Sequence, residues 1–248
     1  MKSLYIALGF LTIIPLPLNR EVRPMDMGRS MACFPLAGAI IGGILAGMSA
    51  VLSIVLPRSV ADFILIAALA LITGGLHLDG LADTFDGLYG GKTREEALAI
   101  MKDSRVGAIG VVSLIFVIIL KYITLLSVPA GLKYTVLVVM PALSRWSMVL
   151  AAYLSGYARP TGGTGRDFIE TVSPMSLLTA TIFASVAAGL MMGWSGGLVI
   201  SFIGGITLIG VIYFKKRLGG VTGDVLGAVN EVNEVMVLLV ILIISQFK

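Results

Sequence analysis

The stretch from Met31 to Leu56 reads MACFPLAGAIIGGILAGMSAVLSIVL and carries no charged side chain. A helix needs roughly 20 apolar residues to cross the hydrocarbon core of a bilayer, because each residue advances it by about 1.5 Å. This stretch is long enough and therefore predicts a transmembrane helix. Similar stretches recur along the chain and predict spans over residues 3–18, 31–56, 60–78, 106–126, 135–154, 175–193, 197–214 and 221–246.

The composition indicates the same class of protein. The chain has 248 residues, of which 57% are hydrophobic and only 13% are charged. We therefore predict an all-α fold, a polytopic integral membrane helical bundle of about seven to eight transmembrane or re-entrant helices. The first span is the weakest, since Pro15 and Pro17 interrupt it and it could instead be re-entrant or interfacial. No connection is long enough for a soluble domain, so residues 1–248 are expected to form one membrane domain.

The distribution of Lys and Arg predicts the orientation, because cytoplasmic ends of spans are enriched in these residues. With eight spans, one side carries most of the cations, namely Arg20, Arg23, Arg29, Lys92, Arg94, Lys102, Arg105, Arg159, Arg166, Lys215, Lys216 and Arg217. The other side carries Lys2, Arg58, Lys133 and Lys248. We predict that the first side faces the cytoplasm and that the chain lies in the cell inner membrane. The net charge of +4 thus reflects topology, and no nucleic-acid partner is expected.

Residues 74–91, GGLHLDGLADTFDGLYGG, gather three carboxylates and the single histidine of the chain. Asp79, Asp83 and Asp86 are spaced i, i+4 and i+7, so on a helix they fall within about 60° of one face. Such carboxylates repel one another unless a divalent, oxygen-preferring cation such as Mg²⁺ binds them. The pattern predicts a magnesium site, and a solvated acidic helix end is the alternative. His77 is a candidate base or a hydrogen-bonded structural residue.

A second acidic cluster lies in residues 219–235, GGVTGDVLGAVNEVNEV, directly before an apolar run. Asp224, Glu231 and Glu234 would share one helix face. A helix that enters lipid carries such acids only where they face protein, water or a cation. We therefore expect the two clusters to meet, which adds Asp224 and Glu231 to the predicted metal ligands. The alternative is a short terminal span that begins near Val235 after a polar loop.

Four cations complement these acids. Lys102 and Arg105 lie in residues 101–110, MKDSRVGAIG; Arg159 lies in residues 157–165, YARPTGGTG; and Arg145 lies within a predicted span, in PALSRW. Lys102 and Arg159 could be ordinary membrane anchors. Arg145 needs an anionic partner at that depth, either a carboxylate of the bundle or a bound phosphate. Acids that hold a divalent ion beside cations that hold phosphate are typical of phosphoryl transfer.

The polar motifs closely resemble those of the cobalamin synthases, the adenosylcobinamide-GDP ribazoletransferases of cobamide biosynthesis. The matching stretches are GGLHLDGLADTFDGL (74–88), TIIPLP (12–17), FPLAGAIIG (34–42), MKDSRVGAIG (101–110), PALSRW (141–146), ARPTG (158–162) and GGVTGDVLGA (219–228). They span almost the entire chain in order.

The resemblance implies a Mg²⁺-dependent membrane transferase. Its substrates would be adenosylcobinamide-GDP and α-ribazole or α-ribazole 5′-phosphate, and its products adenosylcobalamin or its 5′-phosphate plus GMP. The aspartates of residues 74–91 would bind Mg²⁺, and one of them, such as Asp83, or else His77, would accept the hydroxyl proton. Lys102, Arg105, Arg145 and Arg159 would neutralise charge on the leaving GMP. Besides the lipid bilayer, a second copy of the chain or other corrinoid-pathway enzymes are candidate partners.

Two other functions remain as alternatives. A CDP-alcohol phosphotransferase performs analogous chemistry, but its motif has an arginine where this chain has Asp83, and Asp86 comes too early for its spacing. An ion-coupled transporter could also have acids and an arginine inside a bundle, although no strong internal repeat supports one.

Overall fold

The computed structural model of the chain describes residues 2–16, 21–160, 162–163 and 165–247. Its α-helices are α1 (Lys2–Leu11), α2 (Pro24–Ser30), α3 (Phe34–Val55), α4 (Arg58–Ile72), α5 (Leu76–Gly90), α6 (Arg94–Ile100), α7 (Ala108–Ser127), α8 (Lys133–Leu154), α9 (Arg166–Thr171), α10 (Pro174–Met192), α11 (Trp194–Leu218) and α12 (Gly223–Ser245). Single 3₁₀ turns, Met31–Cys33 and Ala130–Leu132, lead into α3 and α8. Arg20 and Lys248, which we assigned to opposite sides, lie outside the described residues.

The predicted class, a polytopic bundle of membrane helices, is confirmed. Within the described ranges, six helical segments are long and apolar enough to cross a membrane, namely Pro24–Val55, Ala108–Ser127, Ala130–Leu154, Pro174–Met192, Trp194–Leu218 and Gly223–Ser245. A seventh span exists if α4 and α5 are taken together, although α5 is turned by 85° from α4. Gly74 and Gly75 make this turn with φ angles of 61° and 69°, which L side chains rarely adopt.

The first predicted span, residues 3–18, is not a complete span over its described part. Helix α1 has 10 residues and is therefore only about 15 Å long. The Lys2 ammonium binds Asp26 at 2.6 Å, and the Ile13 amide donates to the carbonyl of Ile72 at 2.9 Å. Both ends of α1 thus stay near the end of the bundle where α3 begins and α4 ends. Lys2 lies on the same side as Arg23, contrary to the eight-span prediction, and residues 17–18 lie outside the described chain.

Helix α8 forms the centre of the bundle, and most of its side chains are buried. Helix α3 lies directly against it, because a Cβ atom on Gly38 would be 2.1 Å from the carbonyl oxygen of Pro141. At Gly42 the carbonyl oxygen of Leu137 would be only 2.4 Å away. Small residues permit such backbone approach where the hydrophobic effect does not drive helix association.

Candidate active site

Glycines also bring α5 against α12, and this contact assembles the candidate site. A Cβ atom on Gly80 would lie 2.7 Å from the carbonyl oxygen of Asp224, and one on Gly227 would lie 3.1 Å from the carbonyl oxygen of His77. The Thr222 side chain accepts a hydrogen bond from the Val225 amide and caps the start of α12. The first turn of α12 therefore lies beside the acidic face of α5.

Asp79, Asp83 and Asp224 line what we call the acidic groove between these helices. Asp79 is exposed and Asp83 is partly buried, and neither side chain has a hydrogen bond or an ion pair within the described part of the chain. Asp83 lies within electrostatic range of three other carboxylates and one guanidinium, which are Asp79, Asp86, Asp224 and Arg159. The groove thus keeps unpaired anionic oxygens, the ligand type that hard cations prefer.

Asp86 belongs to the same stripe but has a local structural contact as well. Its two carboxylate oxygens accept hydrogen bonds from the amides of Gly107 at 2.7 Å and Gly110 at 2.8 Å. A carboxylate at this position satisfies amides at the start of α7 that have no partner within the helix. Asp86 therefore attaches α7 to α5 beside the groove.

The groove does not form a complete metal cage from protein atoms alone. Among the described residues, no three side chains of His, Cys, Asp or Glu converge closely enough to hold a metal ion. Mg²⁺, however, usually keeps several waters and binds one or two carboxylates together with substrate phosphates. The unpaired carboxylates of Asp79 and Asp83 fit that mode of binding.

His77 is buried behind the groove, with 1% of its surface exposed. Its Nδ1 atom lies 3.5 Å from Nη2 of Arg145, and its Nε2 atom has no hydrogen-bond partner among the described residues. His77 lines a cavity of about 600 Å³, mouth included, together with Asp79 and Asp224. The rings of Phe10, Phe34 and Phe168 form its apolar wall, and we call this cavity the aromatic pocket.

Arg159 also borders the groove. Its guanidinium donates to the Asp224 carboxylate at 2.7 Å and to the carbonyl oxygen of Met101 at 3.2 Å. The loop that carries it is held to the start of α12 by backbone hydrogen bonds, including one from the Ala158 amide to Val221 at 2.9 Å. Arg159 is thus fixed where the acidic groove meets a second cavity.

This second cavity, the cationic pocket, lies between α6 and residues 157–160 and encloses about 990 Å³ including its open mouth. Its polar lining comes from Arg94, Glu95, Lys102, Tyr157 and Arg159. Lys102 and Arg159 were predicted from the sequence. Arg94 and Glu95 were missed as site residues, because on a short surface helix they look like ordinary solvated charges. Their position in a pocket is apparent only from the tertiary structure, in which α6 lies beside the loop of residues 157–160.

Arg105 does not line either pocket. Its guanidinium binds the Asp103 carboxylate at 2.6 Å and is largely exposed. This hydrogen bond lowers the pKa of Asp103 to about 2. Arg105 thus makes a local ion pair in the connection before α7, and its phosphate-binding role stays a prediction.

Glu231 and Glu234 form a buried ion network with Lys121 and Arg145 inside the bundle. Lys121 binds Glu231 at 2.6 Å and also binds Glu234, which in turn binds Arg145. All four side chains are at most 5% exposed. The partner of Arg145 is thus a bundle carboxylate rather than a surface phosphate site. Lys121 was missed as a member, although a lone lysine within a predicted span was a signal for a buried partner.

The two acidic clusters therefore meet only in part. Asp224 lies beside the acidic face of α5, whereas Glu231 is about two helical turns further along α12 and is paired with Lys121 rather than with the predicted metal site. Helix α12 is continuous from Gly223, so the alternative of a short span that begins near Val235 is wrong.

Comparison with known proteins identifies the family of this chain. The family model described as cobalamin-5-phosphate synthase matches residues 3–242. A relative from Geotalea daltonii is 43% identical over 232 residues, which cover 94% of this chain and 93% of the relative. Relatives from Syntrophobacter fumaroxidans (40% identity; 91% and 92% coverage) and Acetivibrio thermocellus (36%; 94% and 94%) are also similar. All three are named adenosylcobinamide-GDP ribazoletransferase. No solved structure matches the chain.

Proposed function

The chain belongs to the cobalamin-5-phosphate synthase family, and we propose that it is a Mg²⁺-dependent adenosylcobinamide-GDP ribazoletransferase of cobalamin biosynthesis. It joins adenosylcobinamide-GDP to α-ribazole or α-ribazole 5′-phosphate, and it releases GMP with adenosylcobalamin or its 5′-phosphate. The observation that carries this proposal is the acidic groove, in which Asp79 and Asp83 have no hydrogen-bond or ion-pair partner among the described residues while Arg159 borders the same groove. Unpaired acids beside cations suit a diphosphate with its metal ion.

In the reaction, the ribose hydroxyl oxygen of ribazole attacks the phosphorus next to cobinamide. A new P–O bond forms, the P–O bond to GMP breaks, and the hydroxyl proton passes to a base. Bound Mg²⁺ supplies charge neutralisation at the diphosphate. Asp79 and Asp83 hold the metal end, while Arg159 and Lys102 stabilise negative charge on the leaving GMP.

Two groups are candidates for the base, and the geometry around His77 favours an aspartate. Arg145 is always protonated and can only donate, so its contact with Nδ1 requires an unprotonated Nδ1. The proton of neutral His77 then lies on Nε2, which is a donor without a partner among the described residues. We infer that the oxygen of the Asp83 carboxylate that does not bind the metal accepts the proton. His77 donates a hydrogen bond to the bound substrate.

The aromatic pocket suits the other substrate. The benzimidazole ring of ribazole is flat and apolar and can stack on the phenyl rings of Phe10, Phe34 and Phe168. Because Asp79 and Asp224 line the same pocket, its ribose would reach the acidic groove. The two substrates would thus reach the groove from two separate pockets, which Arg159 and Asp224 connect.

We further propose that the groove faces the cytoplasm of the cell inner membrane. The connections at this end of the bundle carry many cations, among them Arg23, Arg29, Lys92, Arg94, Lys102, Arg105, Arg159 and Arg166. At the other end, Arg58 and Lys133 are both paired with Asp62. An excess of Lys and Arg in the connections is typical of the cytoplasmic ends of spans.

The test is GMP release by purified protein in detergent or lipid, with adenosylcobinamide-GDP, α-ribazole and a Mg²⁺ titration. Asp79→Asn and Asp83→Asn keep the side-chain size but remove charge from the groove. We expect each to lower turnover at least about 100-fold with an unchanged elution profile, since each ~1.4 kcal/mol is a factor of ten in rate. Glu21→Gln, an exposed glutamate that lines neither pocket, is the control and should keep normal turnover.

Chelation of divalent ions should stop GMP release, and added Mg²⁺ should restore it. Near wild-type turnover at low Mg²⁺ in either groove variant would contradict the metal assignment. A well-folded wild-type protein that releases no GMP from these substrates would contradict the transferase proposal itself and would return attention to the transporter alternative.

A further inference from the structure

The cationic pocket contains one carboxylate that its cations do not neutralise. Glu95 is exposed and lines the pocket together with Arg94, Lys102 and Arg159. Arg94 donates instead to the carbonyl oxygen of Ala158 at 2.7 Å. Within the described ranges, the Glu95 side chain has no hydrogen bond or ion pair. Both of its oxygens remain available to donors on a ligand.

The neighbouring Glu96 is on the same helix but does have hydrogen-bond partners, so the lack of a partner is specific to the position of Glu95. Glu96 accepts hydrogen bonds from the amides of Lys92 and Thr93 and completes the capping box of α6. Its carboxylate is therefore used by the fold. Glu95 has no such contact, and it lines the pocket together with Leu98.

A carboxylate accepts two parallel hydrogen bonds, and a ligand with two adjacent donors matches it. Guanine has such a pair on one edge, its N1–H and its exocyclic amino group. Adenine offers an unprotonated N1 on the corresponding edge, whose lone pair would face the carboxylate. Leu98 and Pro160 provide apolar surface on which a flat base can lie. A base that is bound through the Glu95 carboxylate would therefore be guanine rather than adenine.

The pocket is also in the right place for a nucleotide whose diphosphate reaches the acidic groove. Arg159 lines the pocket and at the same time donates to Asp224 at the groove. A phosphate bound by Arg159 and Lys102 would thus lie between the cationic pocket and the acidic groove. The space in this pocket that water-sized molecules can occupy is about 500 Å³, which lies in the range of ligand sites.

We propose that the cationic pocket binds the guanosine end of the substrate and that Glu95 determines its specificity by accepting hydrogen bonds from the guanine edge. This inference rests on the proposed function, which supplies the guanosine diphosphate. Glu95 is a binding residue for the base and takes no part in the bond-making step.

The experiment compares three corrinoid substrates that differ only in the base: guanosine, inosine and adenosine diphosphate derivatives of adenosylcobinamide. Inosine keeps N1–H but lacks the amino group. Loss of one hydrogen bond to a charged acceptor should lower kcat/KM by about 10- to 100-fold with the inosine substrate, and further with the adenosine substrate.

Glu95→Gln keeps the side-chain shape but replaces one acceptor oxygen with a donor. In this variant kcat/KM for the guanosine substrate should fall about 10- to 100-fold, and the preference for guanosine over inosine should shrink towards one. Glu21→Gln, an exposed glutamate outside the pocket, is the matched control and should keep the wild-type preference. Equal elution profiles of the three proteins exclude a folding defect.

The outcomes separate this inference from the proposed function. If the wild type releases a nucleoside monophosphate from the guanosine substrate but Glu95→Gln keeps the full preference for guanosine over inosine, Glu95 does not read the base and the inference is overturned. If the wild type itself has no preference among the bases, the inference is also overturned while the transferase stands. If the wild type uses none of the three substrates, the proposed function fails.

Discussion

The buried ion network provides the sharpest prediction about stability, and Glu234 is its most connected member. Its carboxylate accepts from two cations, Lys121 and Arg145, whereas the one cation that Glu231 binds among the described residues is Lys121. Glu234→Gln removes the charge and keeps the shape. Lys121 then retains Glu231, but Arg145 loses its carboxylate partner and keeps only neutral contacts.

The loss of unfolding free energy in Glu234→Gln can be worked out from these contacts. A hydrogen bond between charged groups contributes about 1.5–3 kcal/mol, and Glu234 makes two of them. Breaking a buried pair by removing one partner costs about 3–5 kcal/mol, because the remaining charge is left uncompensated. We therefore expect Glu234→Gln to lower the free energy of unfolding by about 3–5 kcal/mol. Glu231→Gln removes one contact and should cost about half as much.

The assay is reversible unfolding in mixed micelles, followed by circular dichroism for the wild type, both single variants and the double variant Glu234→Gln/Arg145→Met. The double variant removes the guanidinium that Glu234→Gln leaves without a carboxylate and keeps the Lys121–Glu231 pair, so it should be more stable than Glu234→Gln alone. If Glu234→Gln is no less stable than Glu231→Gln, or if the second substitution gives no recovery, the network does not stabilise the bundle as we argue.

Three further predictions concern the helix contacts and the orientation. Gly80→Leu should abolish GMP release because its Cβ atom would lie 2.7 Å from the backbone of Asp224, while Gly43→Leu, which meets open space, should be tolerated. Asp86→Ala should lower the unfolding free energy by about 0.5–2 kcal/mol, since two amides at the start of α7 lose their acceptor; an unchanged value would argue against capping. In a Cys33→Ala background, an impermeant thiol reagent added to intact cells should label a cysteine at Ala130 but not at Lys92, and the reverse pattern would invert the proposed topology.

The sequence alone determined the features that depend on local patterns. Apolar runs such as residues 31–56 identify membrane helices, because each such segment must satisfy its own backbone hydrogen bonds in lipid. The spacing of Asp79 and Asp83 also places both on one helix face without any knowledge of the partners of α5. The same motifs identified the family, which the comparisons confirm.

Only the tertiary structure decided which charged residues share a site. Asp224 and Glu231 lie on one helix, yet the first lies beside the acidic groove and the second is paired with Lys121 of α7. Residues far apart in sequence, such as Glu95 and Arg159, likewise line one pocket only because α6 lies against a distant loop. Such pairings depend on how the helices are rotated and on where glycines allow them to approach, and a single helix pattern contains no information on the facing side chain.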